Sequence, residues 1–563
     1  MESLKDHGWP STDAFALSDA LVERVAALRP TMATFMGVRG HDTAWDDFSP
    51  DGLSRQAALL NEVDAALAAL PPAPDAWHGL AAATLADFTS LERERLESGD
   101  AYHDLNGLAS SFQVLRMVFD VMDASTPEGA AAVEARLTGL PVALESYRRL
   151  LSHGLETGEI VAARQVRLVI DQARLAAAPD GFFTGLAARL DTPGAAAGAA
   201  ATRAAYVAFA DWLEGAYLPR ARTHDAVGPE RYARAARRML GAIIDPVETY
   251  AWGWTEVRTI LAEMTRLAAS IRPGATLTET LAWLRDGSDL RAPDLEGFLA
   301  FIRERQTQAL AALVDTFFDV PEPVRHVDVR HAPETGVRGA YYMQPSEDFS
   351  RPGGIWYARD AAGSASLFDE VSTAYHEGFP GHHLQIGLQI AQTAHLSRWQ
   401  RLGDGFSGYA EGWALYAEQL MLELGFYERP EYVLGMYANQ LMRALRVVID
   451  IGLHLELPIP SDAPFEAGEP WTFDRAVHVL NTYGGMDLTH AESDVNRYLG
   501  WPGQAISYKV GQRVFLALRE HWRASQGDTP ASLRAFHTTV LGCGNVGLDR
   551  LEAIVRAAAT QQP

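Results

Sequence analysis

Apolar residues recur three and four positions apart through most of this chain, with Ala, Leu, Arg and Glu filling the positions between, and that period commits it to helices that each bury one stripe. The spacing predicts helices over 16–28, 53–70, 77–96, 127–151, 201–217 and 247–271. The Ala-rich run at 194–201 reads as a small-residue connection or a helix start, and no repeat period accompanies it. Near residue 320 the texture changes. Segments 324–331, 338–344 and 354–358 carry β-branched and aromatic residues bounded by Pro, Gly and Asp, which predicts a small sheet. Helical periodicity resumes at residue 366 and is broken by Pro and Gly clusters at 457–470 and 500–503. The expected architecture is mainly α, with a helical part over 1–320 and a sheet followed by helices over 321–563, the two forming one continuous cooperative body.

A chain of 563 residues, 48% of them hydrophobic, carries enough apolar surface for a large core and is not a disordered or low-complexity protein. Its 48 Lys and Arg against 72 Asp and Glu leave a net charge of −24, which repels phosphate backbones and anionic lipid and so excludes nucleic acid and a membrane surface as partners. No run reaches the roughly 18 uninterrupted apolar residues of a spanning helix. The first thirty residues scatter Glu2, Asp6, Asp13, Asp19 and Glu23 among apolar ones, unlike a secretory signal. Cys543 is the single cysteine, so neither an intrachain disulfide nor a cysteine zinc cluster can form, and a reducing, cytoplasmic location is expected. Any metal must be held by His, Asp or Glu.

One segment concentrates such groups: His376-Glu377-Gly378-Phe379-Pro380-Gly381-His382-His383. In the zinc-hydrolase pattern H-E-x-x-H the two His stand one helical turn apart, and the Glu beside the first activates a water. Here Pro380 occupies the place of the second His. On a regular helix His376 and His382 would stand about 600° apart in rotation and about 9 Å apart in rise, too far to share an ion. Pro380 removes a backbone donor and clashes with the preceding turn, while Gly381 adopts conformations closed to other residues, so the pair predicts a bulge or break. Two residues looped out would return His382 to the one-turn position. Three would return His383, the competing second ligand.

A zinc site of this type needs a third protein ligand and keeps its fourth position open. Residues 408–418, Gly-Tyr-Ala-Glu-Gly-Trp-Ala-Leu-Tyr-Ala-Glu, form a second helical stretch with Glu411 and Glu418 seven apart and roughly on one face. Gly412, Trp413 and Ala414 mark this turn as buried, where an unpaired carboxylate is costly. Glu411 is the candidate third ligand.

The run from His376 to His383, followed by Glu411-Gly412-Trp413-Ala414-Leu415-Tyr416, resembles the bacterial domain-of-unknown-function family 885, over roughly residues 15–555. The resemblance implies a mainly helical zinc peptidase. A more distant similarity is to helical zinc peptidases such as thimet oligopeptidase and angiotensin-converting enzyme, whose H-E-x-G-H sets Gly directly before the second His, as Gly381 precedes His382. In the oligopeptidases a second Glu follows the ligand Glu by seven residues, the spacing of Glu411 and Glu418. These likenesses imply an elongated, helical, zincin-like metallopeptidase with a small sheet before the metal-binding helix. They imply one Zn²⁺ on His376, His382 and Glu411, with Glu377 as general base and Glu418 supporting the ligands from behind. A His₂Glu set also accepts other divalent ions. The two inserted residues are where this chain departs from the pattern.

Further on, segments 492–498, 501–504 and 507–512 also resemble the family. Tyr508 is a candidate donor to the oxyanion of a tetrahedral intermediate, and Arg497 or Lys509 a candidate cation for a substrate carboxylate. His383, where it is not a ligand, joins the substrate-facing set. The segment 339–344 is a candidate edge strand for an extended peptide. The expected activity is zinc-dependent hydrolysis of short peptides. A non-peptide amide or ester would use the same residues, and a metal-free helical binding or scaffold protein is what remains if the insertion holds the histidines apart.

Overall fold

Side-chain caps start many of the helices that the spacing predicts: Asp13 accepts from the backbone N–H of Phe15 and Ala16 at the head of Ala14–Leu28, and Ser49, Asp75, Thr126 and Asp245 do the same at Pro50–Ala68, Ala76–Glu97, Pro127–Thr157 and Pro246–Ile271. The computed structural model describes residues 9–10, 12–332, 339–358 and 365–560, and it is mainly helical with small sheets. The Ala-rich run is a helix start, opening Ala195–Trp212. The helix expected to end at 151 runs on to Thr157, where Gly158 takes the left-handed conformation that closes it.

Two compact units divide the chain. The first comprises Met1–Ala226 with Ser397–Gly403 and Leu499–Trp501, and the second Val227–Leu396, Asp404–Tyr498 and Pro502–Pro563. The boundary near residue 226 groups the helices of 227–320 with the sheet, whereas the change of texture at residue 320 marks only where the strands begin. Among the described residues the first unit shows two apolar cores. Leu137, Leu140, Tyr147, Val169, Phe183 and Phe209 anchor one, and Leu17, Leu21, Val63, Leu85 and Trp399 the other.

In the second unit, a three-stranded sheet has the order Asp328–His331, Gly354–Ala358, Gly339–Met343. The first pair is parallel, with Val329 opposite Ile355, and the second antiparallel, with Tyr341 opposite Trp356. The strand predicted from 338 thus begins at Gly339; residue 338 lies outside the described residues. Val329, Ile355 and Tyr357 pack with Phe298, Ile302 and Ala374, so the sheet seats the helices Leu295–Leu313 and Glu370–Glu377. Ser407–Glu423 and Ser507–Gln526 lie backbone to backbone: a Cβ on Gly412 would stand 2.5 Å from Gly511, and one on Gly511 would stand 2.0 Å from the Gly408 carbonyl oxygen. Pro430–Leu455 is buried along most of its length. No described helix is long and apolar enough to cross a membrane.

Candidate metal centre

The helix Glu370–Glu377 stops one residue after His376, and a new helix, His382–Ala391, begins at His382. The break is therefore complete, and Gly378 to Gly381 form the turn, with a cis peptide between Phe379 and Pro380. Gly381 passes so close to the first helix that a Cβ there would stand 2.0 Å from the His376 carbonyl oxygen. Two side chains from elsewhere hold the turn. Gln306 donates to the Ala374 carbonyl at 2.8 Å and accepts from the Phe379 N–H at 2.7 Å, and Trp413 Nε1 donates to the Pro380 carbonyl at 2.9 Å. Trp413 follows Glu411 by two residues, so the bond that fixes the turn also fixes the helix bearing that carboxylate.

The turn carries His382 back to His376: their rings lie 4.8 Å apart at 85°. Ligand atoms of His376, His382 and Glu411 all fall within 4.8 Å of one another. Glu411 Oε2 lies 3.3 Å from His376 Nε2 and 3.5 Å from His382 Nε2. That oxygen is buried, yet it has no aligned hydrogen bond, and His382 Nδ1 is likewise buried without one. Tetrahedral ligands at the zinc distances of about 2.0–2.2 Å stand about 3.3–3.6 Å apart, which is the spacing of Glu411 Oε2 from each imidazole nitrogen. The residues present fit such an ion.

Glu418 stands behind the cluster. Fully buried, it meets His376 Nδ1 at 2.8 Å and accepts from the Ser372 hydroxyl at 2.6 Å and Gln440 at 3.3 Å. This engages Nδ1 and turns Nε2 toward Glu411. Burial favours a neutral His376, but the carboxylates of Glu411 and Glu418 override it and hold the ring's pKa up at about 9. Glu411 shows the converse: burial would raise its carboxyl, yet the two imidazoles hold it well below the usual range. Glu377, nearly buried, has its carboxyl pushed upward by desolvation, opposed by His376 and His382. It has no hydrogen-bonding partner among the described residues, so its oxygens remain available to a substrate or water.

The other predicted residues divide. Tyr508 stacks on His376, ring centres 6.4 Å apart, and burial followed by the Glu411 charge raises its phenol above the ordinary value. His383 does not compete as a ligand, because Nε2 meets the Val324 carbonyl at 2.8 Å and Nδ1 meets the Tyr342 hydroxyl at 3.2 Å. Burial lowers it to about 4, so it is neutral and ties the second helix to the edge strand. Lys509 is not brought to the cluster either. Its ammonium pairs with Glu256 at 3.0 Å and donates to Gln440 and Gln512 at 3.1 and 2.7 Å. Arg497 spends Nε and Nη2 on Asp494 and Nη1 on Gln504. One cause places both: a cation with so little solvent must be paired, and the pairing fixes where it points.

Sequence reasoning missed Gln306, Ser372, Gln440, Arg443 and Arg446. One signal was available. Arg443, Arg446, Asp450 and His454 recur at three- and four-residue spacing on an otherwise apolar helix, a charged stripe where solvent does not reach.

Solved structures share the fold, two of them over nearly the whole chain. A putative lipoprotein from Colwellia psychrerythraea has a TM-score of 0.83 at 22% identity, covering 98% of this chain and 99% of that one. A putative lipoprotein of unknown function from Shewanella oneidensis has a TM-score of 0.74 at 17% identity, covering 95% and 98%. No curated protein matches the chain. The family of bacterial proteins of unknown function designated DUF885 matches residues 30–555, and the chain belongs to it.

Proposed function

We propose that the protein is a zinc-dependent, zincin-like hydrolase of short peptides, with His376, His382 and Glu411 as ligands. The observation that carries this reading is the buried Glu411 oxygen set between two imidazole nitrogens at ligand spacing without a hydrogen bond. A bound Zn²⁺ would supply Lewis acidity at that point. Glu377 takes a proton from the attacking water and delivers it to the leaving amine, and burial, which raises its carboxyl above the ordinary value, makes it a stronger base for that transfer. Tyr508, neutral and beside His376, donates to the developing oxyanion. The edge strand Gly339–Met343, which His383 contacts through Tyr342, offers backbone groups to an extended peptide. The cytoplasmic location read from the single cysteine remains part of the proposal, and fractionation of the host cell tests it.

Glu377→Gln is the decisive variant. It keeps the shape and removes the base, so the purified protein holds one equivalent of metal while turnover of a short-peptide library falls about 10²- to 10⁴-fold. Absence of stoichiometric metal in protein prepared without chelators, or unchanged turnover in the variant, overturns the reading.

A further inference from the structure

Of the chain's 48 Lys and Arg, two are lysine, Lys5 and Lys509, and Lys509 is buried within the second unit. An ammonium directs three donors from one atom, whereas a guanidinium spreads five over a flat fork. Lys509 Nζ uses three: it meets Glu256 Oε2 at 3.0 Å, Gln440 Oε1 at 3.1 Å and Gln512 Oε1 at 2.7 Å. Glu256 answers the charge. The other two bonds go to neutral amides, and they set which way each amide faces.

An amide carries an oxygen at one end and an NH₂ at the other, and a neighbour that can only donate takes the oxygen and turns the NH₂ away from itself. Gln440 Nε2 therefore faces Glu418 and donates to Oε2 at 3.3 Å, while Glu418 Oε1 meets His376 Nδ1 at 2.8 Å. Gln512 Nε2 donates to the Leu415 carbonyl at 3.1 Å, one helical turn beyond Glu411 on Ser407–Glu423. One ammonium thus fixes two glutamines, of which one supports the carboxylate behind His376 and the other supports the helix bearing Glu411. Glu418, Gln440, Lys509 and Gln512 are all buried. A reversed Gln440 would set its oxygen against the Glu418 carboxylate with no solvent to relieve either group, so the direction matters energetically.

We propose that Lys509 is a positioning residue of the metal centre: through Gln440 and Glu418 it orients the His376 ring, and through Gln512 it places Glu411, so that zinc affinity depends on a cation bonded to neither ligand. The inference rests on the zinc reading of the site. Chelator competition at fixed pH gives the zinc dissociation constants of the wild-type protein, Lys509→Met, Lys509→Arg, Gln440→Leu and the double variant Lys509→Met/Gln440→Leu. Contacts that support metal ligands from behind typically carry about 10- to 100-fold in affinity. Ser372 and Arg443 keep part of the hold on Glu418, so Lys509→Met and Gln440→Leu each still fill with stoichiometric zinc but bind it about tenfold more weakly, at the low end of that range. Lys509→Arg keeps a cation without converging its bonds on one atom, and it loses less. The double variant falls well short of the product of the two single losses, because both substitutions act on one hydrogen-bonded path; a general loosening of the fold would multiply them. Wild-type affinity in Lys509→Met, or losses that multiply in the double variant, overturns the proposal. Should Lys509→Met fail to fold, Gln440→Leu decides alone: weakened zinc supports the path and unchanged zinc overturns it. A wild-type protein that holds no zinc overturns the reading of the site and this inference with it, whereas zinc bound in the expected order without turnover of any peptide overturns the hydrolase and leaves the role of Lys509 standing.

Discussion

At His376, two carboxylates act on one ring: Glu418 engages Nδ1 and Glu411 faces Nε2, and together they hold the imidazolium to about pH 9 when no metal is present. A metal on Nε2 must displace that proton. Affinity for zinc therefore weakens as pH falls below about 9, by about tenfold per unit for the proton displaced from His376, while Glu411, with its carboxyl far below this window, adds no pH dependence. The metal-free fold responds in the opposite sense. With a folded pKa above the unfolded value of 6.5, the His376 proton stabilises the fold fully below about 6.5, and this contribution is lost as pH rises through about 9. Chelator competition across this range, corrected for the chelator's own protonation, gives the slope. A flat profile would remove His376 from the ligand set.

At the scale of elements, the site depends on two close approaches that only glycine allows. Gly381→Ala places a methyl 2.0 Å from one backbone oxygen and 2.3 Å from another, and neither can yield without moving the helix that carries His376. The expected outcome is loss of zinc binding with helical content unchanged by circular dichroism. Gly511→Ala acts elsewhere, wedging Ser507–Gln526 from Ser407–Glu423. The clash falls on the backbone flanking Glu411, but the Trp413 bond to the Pro380 carbonyl anchors that helix, so Ser507–Gln526 is the one expected to yield: zinc is retained while turnover falls as Tyr508 moves off His376, and zinc loss in Gly511→Ala and not in Gly381→Ala would reverse this assignment. The same elements show what sequence can convey. Helix positions follow from apolar period, and Pro380-Gly381 announces a break, because both are local. The closure of the break by Gln306, some seventy residues upstream, and by the Trp413 indole is not local, since each is one polar atom whose role exists only after the helices pack. Where Lys509 points is hidden from sequence for the same reason, since its partner Glu256 lies on a helix about 250 residues upstream.

Across the whole molecule, the chain crosses between its two units more than once. The first unit takes back Ser397–Gly403, so the segment joining the His382–Ala391 helix to the Ser407–Glu423 helix passes through its core. Within that segment Trp399 is 3% exposed, meets the Phe88 ring at a tilt with centres 4.4 Å apart, and donates its backbone N–H to the Ser18 hydroxyl at 2.8 Å. Unfolding the first unit therefore frees a loop whose two ends lead into the helices of His382 and Glu411, and this threading argues for one cooperative transition. Trp399→Ala removes a large buried ring and is expected to cost about 3–5 kcal/mol. It leaves zinc affinity in the folded protein unchanged, because every ligand candidate belongs to the second unit. Free zinc at about 100 times its dissociation constant contributes about 2.7 kcal/mol to the folded state. In a single transition it offsets much of the loss, so denaturant midpoints of the variant with zinc approach those of the metal-free parent. Calorimetry decides the point: two separate transitions, with zinc moving one and Trp399→Ala the other, would show that the threaded segment does not couple the units and that the expectation of one cooperative body is wrong.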